Sequence, residues 1–478
     1  MNHKKYNFKC FKYLDNYYIF DGQSQTAICV KYETWELFRK IKNGETIAPS
    51  SKSKEFIDKL LCNQIVQEQK NETKAPNFFY SKNMLSLVHS LRCNLRCQYC
   101  FSHNKTSDFD MDIEVAKKAI LFFIEKFAPK GNKLIIDLTS AGEPLVNKNF
   151  VMEISKFITN LRNTAALDIH PALITNGMLL TEEWKNFFLE HGVFWAISLD
   201  CNKLHHEKAR TGADYDKIIK NYKMAKTSTL WYYYGIRATY TAENCNITEI
   251  FESLFKVGFG YPITINPARN EKNGYGVFTN KNIKKILNYY DDFCQHLLNF
   301  TLNLDLGRIH SYFSGESYFR KFIGSILHKT RIIYRCSAGV QDIAVDKNGD
   351  FYVCTTLTGK QKALIGNLER GIDSDKQKEI KQIYADNLPS CSKCWARYNC
   401  AGTCMAESLN INDTLSDIVP VKCTLTQHLI KLAIYYSHQV YTKRPDILRY
   451  IQENTNASNI GSPTRRNRLR GCLHSNNM

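Results

Sequence analysis

The chain of 478 residues carries 64 Lys and Arg against 46 Asp and Glu, a formal charge of +18, with 44% hydrophobic residues and 17 cysteines. That length accommodates two or three domains, each with its own core, and no run of 18 or more apolar residues offers a membrane-spanning helix. The lysines near Met1 are followed by no apolar stretch of signal-peptide length. The expectation is a cytoplasmic protein, in whose reducing environment clustered cysteines point to metal or catalysis rather than to disulfides.

Residues 1–80 read as a small α+β module. Tyr17–Phe20 and Thr26–Val30 are strand-like around the turn Asp21-Gly22, a helix follows from Thr34 to Ile41, and a second is expected at Phe56–Leu61. The polar stretch Gln67–Lys74 reads as a linker. A hairpin with helices is too small for chemistry, but its strand edge can accept an extended peptide.

Residues 81–310 alternate apolar runs with amphipathic segments. Strands are predicted at Leu85–Val88, Leu134–Leu138, Ala172–Ile174, Phe194–Leu199, Gly235–Tyr240 and Ile263–Ile265. Helices are predicted at Val115–Phe127, Phe150–Leu161, Glu182–Glu190, Tyr215–Met224 and Ile247–Phe255, with a closing helix at Ile283–Leu302. Strand–helix alternation of this kind predicts a parallel, barrel-like α/β domain with its site at the carboxyl ends of the strands. Residues 311–441 are cysteine- and loop-rich, with one further helix at Leu425–Tyr441. Residues 442–478 form a tail whose Asn/Ser/Arg-rich end is expected to be disordered.

The positive charge is spread along the chain, and its only dense run is Arg465, Arg466, Arg468 and Arg470. No groove-reading or base-stacking motif accompanies it, so an acidic peptide is the expected partner rather than nucleic acid.

Cys93, Cys97 and Cys100 follow the first barrel strand in the spacing C-x-x-x-C-x-x-C. Three thiolates in one short loop can hold three irons of a four-iron cube and leave the fourth open to a small molecule. A zinc ion would want a fourth local Cys or His, and the Cys93–Cys100 stretch itself holds none. With Tyr99 before its last cysteine, the motif resembles that of the radical S-adenosylmethionine (radical SAM) superfamily. Ala141-Gly142-Glu143-Pro144, Thr175-Asn176-Gly177 and Ser198-Leu199-Asp200 close successive strands, with His206 and Arg210 at six- and ten-residue offsets from Asp200. These stretches resemble the family's cofactor-binding loops. The resemblance implies a partial (β/α)6 TIM-type barrel in which S-adenosylmethionine chelates the open iron and is cleaved to a 5′-deoxyadenosyl radical. It further implies that Tyr99, Gly142, Glu143, Asn176, Ser198, Asp200 and Arg210 bind the cofactor, and it assigns no general base. Two positions depart from the pattern: Ala141 stands where a Gly is usual, and so does Cys201 after Asp200.

A second set begins with Cys336, Gly349 and Cys354 and continues with Cys391-x-x-Cys394, Cys400, Cys404 and Cys423. Its seven cysteines resemble the SPASM extension of radical enzymes that modify peptides and proteins. By that resemblance Cys336, Cys354 and Cys404 hold one auxiliary [4Fe-4S] cluster, and Cys391, Cys394, Cys400 and Cys423 hold another, making three clusters in all. Some relatives carry an eighth cysteine shortly before the first; here His328–Arg335 contains none. A substrate thiol, Cys294 or a non-cysteine side chain could complete that site. The implied activity is maturation of a ribosomally made precursor peptide by cross-linking, such as a thioether, with an external electron donor such as flavodoxin or ferredoxin. Alternatives are anaerobic sulfatase maturation, whose enzymes carry an Asp where this chain has Thr355, and a non-enzymatic iron–sulfur regulator.

Overall fold

Short β-branched runs separated by capped helices set the order of elements in this computed structural model. It describes residues 7–45, 55, 59–60, 65–67, 82–102, 110–128, 133–225, 235–258, 260–269 and 274–455. The chain opens with an antiparallel sheet of β1 (Phe8–Tyr13), β2 (Asn16–Asp21) and β3 (Thr26–Val30), followed by α1 (Tyr32–Lys42). Phe38 and Ile41 of α1 pack on Phe8 and Ile19, and the Phe8 and Phe38 rings meet edge-on at 5.5 Å. Strand β1 went unread in the sequence because no turn signal precedes it. Most of the expected Phe56–Leu61 helix and of the Gln67–Lys74 linker lies outside the described residues.

Six parallel strands follow: β4 (Lys82–Leu87), β6 (Lys133–Asp137), β7 (Ile169–Thr175), β8 (Phe194–Ser198), β10 (Ile236–Tyr240) and β11 (Ile263–Pro267). They are neighbours in that order, the arrangement typical of a radical SAM partial barrel. The connecting helices are α2 (Ile113–Phe127), α3 (Lys148–Thr164), α4 (Glu182–His191), α5 (Lys203–Ala209), α6 (Tyr215–Ala225) and α7 (Ile247–Val257). Each presents one apolar stripe. On α7 it is Ile247, Ile250, Phe251, Leu254 and Phe255, and the Asn246 side chain caps the helix by accepting from the Glu249 N–H. Two short strands, β5 (Arg96–Cys97) and β9 (Arg210–Thr211), pair with each other apart from the large sheet.

The C-terminal part starts with α8 (Ile283–Leu302), α9 (Leu306–Ser314) and α10 (Tyr318–Leu327). Strands β12 (Asp342–Val345), β13 (Asp350–Tyr352), β14 (Leu364–Asn367) and β15 (Gly371–Ile372) then extend the barrel sheet. β12 runs parallel to β4 with Asp342 opposite Met84, and the other three pair antiparallel beside it. After α11 (Ser374–Lys381), α12 (Arg397–Cys400) and α13 (Met405–Asn412) come the long α14 (Pro420–Lys443) and α15 (Pro445–Thr455). Ile447 and Ile451 bury α15 in the part of the tail where the sequence offered no element. The end expected to be disordered, residues 456–478, lies outside the described residues.

One core unites these parts. Phe11, Tyr18 and Phe20 of the N-terminal sheet belong to the same apolar cluster as the barrel strands and α14. The Tyr13 ring lies 4.7 Å from Tyr435, and the Tyr18 hydroxyl meets His438 Nδ1 at 3.0 Å. No helix among the described residues is long and apolar enough to cross a membrane.

Candidate functional site

The loop after β4 carries Cys93, Cys97 and Cys100, all half-buried. It is pinned rather than loose: Cys97 pairs with Arg210 across the β5–β9 ladder, and Gln98 N donates to Ala209 O at 2.9 Å. The Leu95 N–H points at Cys93 Sγ at 3.4 Å, a backbone donor placed for a thiolate.

Loops at the carboxyl ends of β6, β7 and β8 converge on this one. Gly142 has to be glycine, because a Cβ there would stand 2.2 Å from Arg92 O. Its neighbour Ala141 has no such conflict; it packs in a small apolar cluster with Val88, Ala344 and Tyr352, so this departure from the usual Gly is accommodated. Glu143 is buried, and its carboxylate accepts from Thr175 Oγ1 at 2.6 Å, Asn176 N at 2.7 Å and Leu145 N at 3.2 Å. Burial nevertheless raises its pKa above the usual carboxylate value. Asn176 reaches the cysteine loop through Nδ2, which donates to Asn94 Oδ1 at 2.8 Å.

Asp200 is the hub of the next loop. It accepts from Arg210 Nε and Nη2, from Thr239 N at 2.9 Å and from the Tyr99 hydroxyl. Burial would raise its pKa, but Arg210 overrides burial and holds it low. The Arg210 guanidinium also lies over the Tyr99 ring at 5.6 Å. His206 Nδ1 accepts from the Asp200 N–H at 3.2 Å, and burial and Arg210 lower its pKa to about 4. Ser198 is half-buried and sits in register opposite Arg237. The structure thus brings Tyr99, Gly142, Glu143, Asn176, Asp200 and Arg210 around one cysteine loop.

The seven later cysteines fall into two groups. The β12–β13 hairpin turns at Gly349, whose φ of +81° favours glycine, and returns Cys354 toward Cys336. Burial lifts the Cys336 thiol to about 12, and Cys404 and Cys354 next to it oppose its ionisation further. Cys391 behaves alike, with Cys400, Cys394 and Cys423 as its neighbours. Among the described residues no three of these cysteines bring their sulfurs within 4.8 Å of one another.

A cavity of about 940 Å³ joins the barrel interior to the Cys336, Cys354 and Cys404 group. Barrel residues Ser86, Asp137, Thr139 and Arg237 line one part of it, and Arg269, Lys321 and Arg335 line the part near the cysteines.

Comparison with known proteins agrees with this geometry. The radical SAM superfamily profile matches residues 87–236, which hold the cysteine loop and every loop around it. The chain belongs to the radical SAM superfamily. It is a radical SAM enzyme related to peptide-modifying maturases. It is 30% identical over 185 residues to the Cys-type anaerobic sulfatase-maturating enzyme of Clostridium novyi, a match covering 37% of this chain and 47% of that enzyme. It is 23% identical over 337 residues to the radical SAM cyclopropyl synthase TigE of Paramaledivibacter caminithermalis, covering 67% of each. In fold it resembles native anSMEcpe with bound AdoMet and Cp18Cys peptide, with a TM-score of 0.58, 18% identity, and coverage of 76% of this chain and 99% of that one. A radical SAM enzyme implies a [4Fe-4S] cluster and S-adenosylmethionine, and the three-thiol loop with its buried carboxylate and amide is a donor set that fits them. Membership as an enzyme replaces the regulator alternative.

This radical SAM enzyme also has functional-site residues that the sequence did not single out. Arg335 donates to Cys400 O at 3.2 Å and to the Tyr318 hydroxyl at 3.1 Å, and Arg269 donates to Thr356. Lys422 pairs with Glu407 at 3.0 Å, both 7% exposed. Lys321 has its pKa lowered to about 7, by burial first and Arg335 next. Adjacency was the available signal, since Arg335 directly precedes Cys336 and Lys422 directly precedes Cys423. One expectation is corrected. Cys294 lies fully buried on α8 with its thiol directed at Leu432 O at 3.8 Å, so core packing rather than a cluster holds it.

Proposed function

We propose that this enzyme matures a ribosomally made precursor peptide by cross-linking it, with auxiliary clusters on two cysteine groups. The observation that carries this reading is the cavity continuing from the barrel interior to Cys336, Cys354 and Cys404. A peptide side chain lodged there lies between the cofactor loops and an electron sink, and forming a cross-link removes two hydrogens and needs such a sink.

When bound, the cluster and S-adenosylmethionine supply hydrogen-atom abstraction from an unactivated carbon. Cys93, Cys97 and Cys100 would hold three irons; Glu143 and Asn176 would orient the cofactor's amino-acid end; Asp200, Arg210, Tyr99 and Ser198 would fix the walls around it. Cys336, Cys354 and Cys404 would hold one auxiliary cluster and Cys391, Cys394, Cys400 and Cys423 the other. Arg269 and Arg335 place positive charge beside the first group, which offsets the negative charge of its thiolates.

Sulfatase maturation is the second reading, favoured by the likeness to the Clostridium novyi enzyme. Thr355, which lines the cavity, weakens it, because a hydroxyl cannot act as the carboxylate base that Asp would supply.

The test is anaerobic incubation of the reconstituted enzyme with reductant, S-adenosylmethionine and short peptides encoded beside it. The expected result is 5′-deoxyadenosine together with a peptide lighter by two hydrogens. Replacing Cys93, Cys97 and Cys100 by Ala should remove about four of roughly twelve irons and all cofactor cleavage. Stoichiometric zinc with little iron in the reconstituted protein would overturn the reading.

A further inference from the structure

We propose that Cys201, His205 and Glu249 form a separate site for a single zinc-like divalent cation, distinct from the cluster cysteines. The ligand atoms of these three residues lie within 4.8 Å of one another, and His205 Nδ1 is 3.8 Å from Glu249 Oε1. Their donors are one sulfur, one nitrogen and one oxygen, a combination suited to zinc with a water in the fourth position. Cys201 is fully buried at the base, while His205 and Glu249 are half-buried at the rim, so a cation can enter from solvent.

Cys201 has a φ of 142°, in the region that favours glycine, and its thiol has Ser253 Oγ at 3.9 Å as its hydrogen-bond partner.

Asn202 Nδ2 donates to Glu249 Oε1 at 2.7 Å, and Asn202 Oδ1 accepts from His205 Nδ1 at 3.1 Å, so without a cation one amide holds both rim residues side by side. Cation binding would turn the His205 ring nitrogen away from that amide and leave Nδ1 unprotonated. Burial, with Glu249 and Asp200 adding negative charge, keeps the Cys201 thiol protonated, its pKa raised to about 11. A bound cation would offset that charge, and the thiol proton would pass to solvent. Ligation would tie α5 to α7 behind Asp200, stiffening the loop that grips Arg210.

The test uses cluster-loaded enzyme, equilibrated anaerobically with zinc chloride and desalted, in wild-type, Cys201→Gly, His205→Ala and Glu249→Gln forms with matched iron content. The expected result is about one zinc per chain in the wild type, with one sulfur at about 2.3 Å and nitrogen or oxygen at about 2.0–2.1 Å by X-ray absorption. Zinc should fall to background in Cys201→Gly, and the thermal midpoint should rise with zinc in the wild type alone. Any of three results overturns the site: no zinc retained by the wild type, equal zinc retained by Cys201→Gly, or zinc bound by two or more sulfurs.

Discussion

Arg210 grips Asp200 through two parallel hydrogen bonds, Nε to Oδ2 at 2.7 Å and Nη2 to Oδ1 at 2.9 Å, while its backbone pairs with Cys97. One residue therefore couples the β8 loop to the cysteine loop. Both side chains are buried, at 8% and 1% exposure, so removing one strands a charge away from water. Arg210→Ala should lower stability by about 3–5 kcal/mol, while Arg210→Lys, which keeps the charge but loses the fork, should cost less. Anaerobic denaturant titration reads the stability, and iron analysis should show loss centred on the Cys93, Cys97 and Cys100 cluster. An Arg210→Ala protein with an unchanged midpoint and full iron would show that the pair does not hold the loop.

The barrel was legible because each strand is a short apolar run closed by turn-forming residues. Phe194–Ser198 differs by one residue from its expected end, and Ile283–Leu302 matches its expected limits. The cysteine loops were legible because spacing within a short loop constrains geometry directly. The pairing of β12 with β4 was not legible. It joins segments some 258 residues apart, as the Gln341–Asn83 hydrogen bond shows, and no local pattern encodes a partner so distant. The basic residues around the second cysteine group were missed for the same reason. Arg269, in the loop after β11, and Lys321 on α10 lie far apart in the chain and meet only in the fold.

His89 gives the acid response. It is fully buried, stacked on Phe150 at 4.5 Å, with Nε2 at 3.0 Å from Leu138 O. Burial lowers its pKa to about 4. Below its usual value near 6.5 the unfolded histidine takes up a proton while the folded one stays neutral, so stability falls as pH drops from about 6.5 toward 4. The contribution lost across that window is about 3 kcal/mol. Thermal midpoints between pH 7.5 and 5 should decline more steeply in the wild type than in His89→Gln, whose amide can still donate to Leu138 O. Parallel curves would remove His89 from the account.

Among the described residues β3 is an edge strand of the N-terminal sheet, and we propose that a leader segment of the peptide pairs with it. Deleting residues 1–80 would be a poor test, because Phe11, Tyr18 and Phe20 belong to the main core and their loss would uncover it. Hydrogen exchange in the intact enzyme is cleaner. Amides of Thr26–Val30 should slow when full-length peptide binds and should not slow with a peptide lacking its leader. Unchanged exchange in β3 with demonstrably bound peptide would move the docking site elsewhere.

The remaining prediction concerns the fourth ligand of the Cys336, Cys354 and Cys404 group. His328–Arg335 carries no cysteine, and Cys294 is committed to the contact with Leu432. The cavity instead opens this group toward the barrel, with Arg269 and Arg335 as cationic walls. Positive walls and metal coordination both favour a thiolate over a thiol, whose free pKa is about 8.5. A peptide cysteine reaching this end of the cavity would hold its sulfur close to a carbon radical formed in the barrel, as a thioether requires. In a Cys93, Cys97 and Cys100→Ala variant the auxiliary sites can be viewed without the first cluster. Their electron paramagnetic resonance spectrum should change on adding the peptide and stay the same with a peptide in which serine replaces cysteine. If the cysteine-containing peptide binds and the spectrum does not move, the thiolate does not ligate there, and a carbon–carbon cross-link becomes the better account of the product.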